Sequence, residues 1–273
     1  MTRISAIAMA FSLASATISN EASYAQAKPG VERLYILNCG EGVAGDISRW
    51  SPGVNVGKSM DFVDNCYLIK HSQGWLLWDT GVTDAIAAIP DGQKPTDARA
   101  THWKRPKTLA SQLEQLGVKS SDIKYIAVSH THPDHIGNIS MFPQSTLLVQ
   151  KAEYEWPSPF VRALQAGPSA VNKLEGDHDV FSDGTVMLIA TPGHQSLLIK
   201  LPKTGAILLS GDAVHFKDNW ENRRAPDINF NKEQTTTSLQ RMAEVLAKEK
   251  AQLWINHDKA QRDSLKMAPG FYE

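Results

Sequence analysis

The chain has 273 residues, of which 42% are hydrophobic and 21% charged, enough apolar material for one sizeable globular core. Its 28 Lys and Arg against 29 Asp and Glu leave a formal charge of -1, so no basic field exists to gather phosphates, and nucleic acid is not an expected partner. Two cysteines are too few for a disulfide scaffold.

At the amino terminus Arg3 precedes "ISAIAMAFSLASATIS", an apolar and small-residue run without charge from Ile4 to Ser19. Ser23 and Ala25 then flank a cleavage point after Ala25. That is the pattern of a secretory signal peptide over residues 1–25, too short and too rich in Ser and Ala for a membrane anchor. The expected mature domain is 26–273, periplasmic or secreted, with no stable membrane insertion. Next come "RLYILN", "CYLIK" and "WLLWD", short β-rich runs separated by turn residues. Cys39 and Cys66 either form one bridge in an oxidising compartment or stay reduced, as a buried cysteine in a core strand can. Neither is given a catalytic role.

Residues 90–105 and 157–176 are rich in Pro, Gly and charge and are expected excursions over an active site. Between them "TLASQLEQLG" puts Leu109, Leu113 and Leu116 on one helical face, with Gly117 placed to end the helix. "YIAVS" follows as a strand. Later strands are "TLLVQ", "TVMLIA", "SLLIKL", "AILLSGD" and "LWIN", and "TTTSLQRMAEVLAKEK" carries Leu239, Met242, Val245 and Leu246 as a helix face. Mixed strands and helices along one undivided chain predict a layered α/β architecture.

The segment "SHTHPDHIGN" concentrates His130, His132, Asp134 and His135 in six positions directly after the apolar run "YIAV". At the end of a core strand such groups are costly unless they have a common partner. Imidazole and carboxylate are the donors that suit zinc and similar divalent ions. One loop cannot readily fill two coordination spheres, and further donors stand at later strand ends: His194 in "TPGHQS", Asp212 in "LLSGDA" and His257 in "LWINHD". His71, His102 and His178 lack such company and read as ordinary hydrogen-bonding histidines. Neither "LLSGD" nor "VSHTH" has the strand-turn-helix context of a serine nucleophile.

With HxHxDH matched by His130, His132, Asp134 and His135, the sequence resembles the metallo-β-lactamase superfamily from "WLLWDTG" through "NHD". The resemblance implies a four-layer αββα sandwich with metals at one edge. It also implies two divalent ions, most simply Zn2+. His130, His132 and His194 would hold one ion, Asp134, His135 and His257 the other, and Asp212 both, screening two cations about 3.5–4 Å apart. Asp79 in "WDTG" resembles the aspartate that orients a ligand histidine through its other ring nitrogen, although a turn-capping Asp fits the same spacing.

"VQKAEYEW", "TPGHQSLLIK", "GDAVHFKDNWE" and "NHDKAQ" further resemble the N-acyl homoserine lactonases, as does the presence of the Asp212 bridge. The implied reaction is lactone ring opening by a metal-activated hydroxide shared between the ions. Asp134 or a water would pass a proton to the leaving group, and relatives often pair as homodimers. Two departures stand out: His215 occupies the position where cytoplasmic lactonases commonly carry tyrosine, and one "TPGHQ" replaces a longer TPGH-x-x-GHQ. His215 is the expected neutral donor to the substrate carbonyl. Trp156, Phe160, Trp220 and Phe230 are candidates for an apolar groove around the acyl chain. The competing readings are another dinuclear hydrolase of this fold, such as a phosphotriesterase, and a noncatalytic or iron-binding redox member.

Overall fold

A computed structural model describes residues 30–273 apart from 228 and 230, so the expected signal peptide and Phe230 lie outside the described residues. The first sheet contains β1 (Val31–Ala44), β2 (Met60–His71), β3 (Gly74–Trp78), β4 (Thr101–Lys104), β5 (Ile123–Ala127), β6 (Thr146–Gln150) and β7 (Ala170–Leu174), ordered β4-β1-β2-β3-β5-β6-β7. The second contains β8 (His178–Asp179), β9 (Val186–Thr191), β10 (His194–Leu201), β11 (Gly205–Leu209) and β12 (Gln252–Trp254), ordered β12-β11-β10-β9-β8. The helices are α1 (Leu109–Gln115), α2 (Pro133–Ile136), α3 (Lys151–Tyr154), α4 (Val161–Gln165), α5 (Lys217–Glu221), α6 (Lys232–Glu249) and α7 (Lys259–Asp263).

Side-chain alternation sorts the first sheet into two apolar faces. Leu34, Ile36, Tyr67, Ile69, Leu76 and Trp78 pack against Leu197, Ile199, Ile207, Leu209 and Trp254 of the second sheet. Their neighbours Tyr35, Leu37, Leu68 and Leu77 face outward, where Leu109 and Leu113 of α1 and Leu164 of α4 cover them. On the far side Leu198 and Leu208 meet Leu239, Met242 and Val245 of α6. The layers therefore run αββα, as the resemblance implies. Burial on both faces explains why the strands read as continuous apolar runs rather than strict alternation.

Helix ends follow from local chemistry. The Thr108 side chain accepts from the Ser111 amide, and the Asp84 carboxylate accepts from the Leu109 and Ala110 amides, so α1 begins there. Asn231 caps α6 by accepting from the Glu233 and Gln234 amides, which starts that helix three residues before the run read from the sequence. Two strands fall in segments expected to be irregular: β4 pairs with Glu41–Ala44 of β1, and β7 with β6. Both are edge strands, which need only one hydrogen-bonded neighbour and carry polar residues such as Asn172 and Lys173. Among the described residues no helix is long and apolar enough to cross a membrane.

Of the two alternatives for the cysteines, the structure has the bridge, joining Cys39 on β1 to Cys66 on β2 with Cα atoms 5.6 Å apart. Closing a loop across a separation of 27 residues restricts the unfolded chain. By the chain-entropy relation this contributes about 3.5 kcal/mol. The Cys39→Ser/Cys66→Ser double variant should therefore unfold at a lower guanidinium midpoint, by about 3.5 kcal/mol in extrapolated stability. Equal midpoints for variant and parent would contradict this.

Candidate metal centre

The parallel pairs β3/β5, β5/β6 and β11/β12 end at one edge of the two sheets, and β10 begins there. β5 leads into the Ser129–His135 loop, which is anchored on several sides. The Ser129 amide donates to Asp79 Oδ1 at 2.6 Å, and the Thr131 amide and hydroxyl donate to Glu153 Oε1 at 2.7 and 2.6 Å. Pro133 opens α2, where its missing N–H costs nothing. Gly211 has φ +51°, and a Cβ there would stand 2.6 Å from Ser129 Cβ. Glycine at 211 thus lets the turn carrying Asp212 close onto the histidine loop.

Asp212 is the centre of the arrangement. Its Oδ1 lies 3.2 Å from His135 Nε2 and 2.9 Å from His257 Nε2, while Oδ2 lies 3.6 Å from His130 Nε2 and 3.1 Å from His215 Nε2. Donor atoms of His130, His132 and Asp212 all fall within 4.8 Å of one another, as do those of Asp134, His135 and His257. The His130 and His132 ring nitrogens approach to 2.7 Å. His194, the first residue of β10, presents its ring edge-on to His130 at 4.7 Å between centroids. Six of the seven expected ligand residues fall in these two groups, and His194 stands beside His130 without a donor atom in either.

The donors fit cations. His135 Nε2, His257 Nε2 and Asp212 Oδ1 are buried and face only one another, without well-aligned hydrogen bonds, an arrangement that a shared positive ion would satisfy. The opposite ring nitrogens are engaged: His135 Nδ1 donates to Asp79 Oδ2 at 2.9 Å, and His257 Nδ1 donates to the Val63 carbonyl at 2.6 Å. Each ring therefore turns its Nε2 lone pair inward. Of the two roles weighed for Asp79, its side chain serves the first: Oδ2 faces His135 Nδ1 and Oδ1 accepts from the Ser129 amide, while its backbone takes φ +57°.

Electrostatics follow the same geometry. Burial opposes charge on His135 and His257, but Asp212 overrides it, raising His135 well above the usual imidazole range and His257 to about 8. Burial instead holds His130 well below that range and takes His194 to about 3. Burial works against the Asp212 carboxylate, yet the surrounding imidazoles, His257 first, keep it well below ordinary carboxylates. Burial lowers His215, which is only 2% exposed and faces Asp212 through Nε2.

Of the expected groove aromatics, Phe160 is 40% exposed with its ring edge-on to His132 at 6.2 Å, and Trp156 is 43% exposed. Trp220 packs on the α6 side of the core with Arg223 over its ring. Sequence reading missed a second layer behind His257. Phe62 and Trp103 pack around its ring, tilted, at 4.4 and 6.2 Å between centroids, and Asp64, Asn65 and Asn256 form a buried polar cluster. Burial pushes the Asp64 carboxyl up to about 6 against the pull of His135 and His257. An acid inside the apolar run "FVDNCYLI" was the signal available for it. His71 stacks on Phe181 and pairs with Asp183, and His102 bonds to the Asp91 carbonyl, both apart from the centre.

Since a cation must displace the proton that His257 holds below about pH 8, apparent metal affinity should fall as pH drops through that value. Calorimetry at pH 7 in buffers of different ionisation heat should count about one or more protons released per chain. A count of zero would be inconsistent with these histidine environments.

Residues 61–249 match the model of the metallo-beta-lactamase superfamily. The chain is 31% identical over 228 residues to the N-acyl homoserine lactonase AttM of Azorhizobium caulinodans, covering 76% of this chain and 86% of that protein. It is also 31% identical over 250 residues to an N-acyl homoserine lactonase of a Bacillus species, covering 88% and 99% respectively. A solved N-acyl homoserine lactone hydrolase with N-hexanoyl-L-homoserine bound at its catalytic metal centre superposes with a TM-score of 0.78. That match has 28% identity over 89% of this chain and all of the other.

Proposed function

The chain belongs to the metallo-beta-lactamase superfamily, and from that premise we propose that it is a dinuclear metal-dependent hydrolase that opens the lactone ring of N-acyl homoserine lactones. The observation that carries the reading is the Asp212 carboxylate, whose two oxygens face two different donor groups. His130, His132 and His194 would hold one ion, Asp134, His135 and His257 the other, and Asp212 both. Zinc suits imidazole and carboxylate donors. When bound, the ions supply Lewis acidity at a carbonyl oxygen and lower the pKa of water from 15.7 to about 7.

The protein's own groups divide the remaining work. His132 is exposed and Asp134 half-buried, so the centre opens on that side, where the lactone enters. Asp79 and the Val63 carbonyl fix the rings of His135 and His257, so the donors need little rearrangement during turnover. As the ring C–O bond breaks, the departing alkoxide needs a proton, and Asp134 at the mouth is placed to carry it. His215, lowered by burial, has its Nε2 3.1 Å from Asp212 Oδ2, and would turn that N–H to the lactone carbonyl once Asp212 holds the ions. The product is an N-acyl homoserine. The buried disulfide supports residence in an oxidising compartment, in keeping with cleavage of a signal peptide after Ala25.

Metal-loaded mature protein, incubated with a series of acyl homoserine lactones, should release one proton for each ring opened. Asp212→Asn should lose about 100-fold or more in turnover, and His215→Ala about 10-fold. Phosphotriester hydrolysis far faster than that of every lactone would reject the proposed substrate. Wild-type turnover with full metal content in Asp212→Asn would reject the bridge.

A further inference from the structure

Three consecutive residues of β2 grip the segment that carries His257. The Val63 carbonyl accepts from His257 Nδ1. The Asn65 amide donates to Asn256 Oδ1 at 3.2 Å, and Asn65 Nδ2 donates to the Asn256 carbonyl at 2.8 Å. Between them, Asp64 Oδ1 accepts from Asn256 Nδ2 at 3.0 Å and Oδ2 accepts from the Val82 amide at 3.2 Å.

Val82 ends the turn that begins at Asp79, and that turn is tied to His135 repeatedly. Asp79 accepts from the His135 ring, the Thr80 amide donates to the His135 carbonyl at 2.7 Å, and Asn138 Nδ2 donates to the carbonyls of Thr80 and Val82. One carboxylate therefore joins the segment bearing His257 to the segment that orients His135. Among the described residues no direct hydrogen bond links Asp64 to His130, His132 or His194.

Its chemistry is specific to that task. Two donors from separate segments converge on it, and an ionised carboxylate offers an acceptor at each oxygen, whereas an amide must present a donor to one of them. Asp64 is fully buried, a costly place for a charge that only an aligned set of partners sustains.

We propose that Asp64 is a positioning residue that sets the spacing of His135 and His257, and through them selectively determines affinity at the Asp134–His135–His257 cation group. The proposal rests on the dinuclear reading, so its test separates the two. Metal-free protein is titrated with Zn2+ against a chromophoric chelator, for the parent, Asp64→Asn, Asn256→Ala and Gln112→Ala. Gln112→Ala removes a buried hydrogen-bonded side chain that serves Asn38, away from the centre.

The parent should bind two ions. Asp64→Asn and Asn256→Ala should each keep one affinity and weaken the other about 10–100-fold, while Gln112→Ala lowers the melting temperature without moving either. If Asp64→Asn does not fold, Asn256→Ala decides the matter alone. Two unchanged affinities in the Asp64 and Asn256 variants, or equal weakening of both, overturns the proposal and leaves the dinuclear reading intact. A single ion in the parent overturns both.

Discussion

A buried carboxylate surrounded by imidazoles is the constraint on which the rest of the structure depends. Asp212 is 4% exposed, one oxygen toward His135 and His257, the other toward His130 and His215. Asp212 holds His257 and His135 up against their burial, whereas burial pushes His130 and His194 down. Two divalent ions would displace the protons on His135 and His257 and satisfy the buried donor atoms that face one another. Folding and metal chemistry are thereby coupled at one residue.

The fold makes this meeting possible by ending several strands at one edge. Parallel β5, β11 and β12 deliver the histidine loop, the Asp212 turn and the His257 segment from two different sheets. Convergence of this kind requires close backbone approach, and Gly211 supplies it against Ser129. Behind the edge, Asp79 and the Val63 carbonyl fix ring orientation, and Phe62 and Trp103 pack on His257. The rigidity of the inter-sheet core is thus transmitted to the donor atoms.

Most of the centre was legible in the sequence because ligand chemistry restricts residue types strongly, and HxHxDH leaves few other uses for four such groups in six positions. The layered fold was legible because long apolar strands buried on both faces leave unbroken hydrophobic runs. What escaped were features defined by partners distant in sequence. Edge strands β4 and β7 pair through backbone atoms that carry no residue signature. Asp64 gains its meaning from Asn256, 192 positions away, and the cysteine alternatives were resolved by the register of β1 and β2.

The central claim is that one side chain serves two ions. It is tested most directly by anomalous diffraction from crystals of the protein loaded with zinc, recorded on both sides of the metal absorption edge. The account predicts two anomalous peaks, with one oxygen of Asp212 nearest each. A lone peak, or both Asp212 oxygens turned toward the same ion, would contradict it.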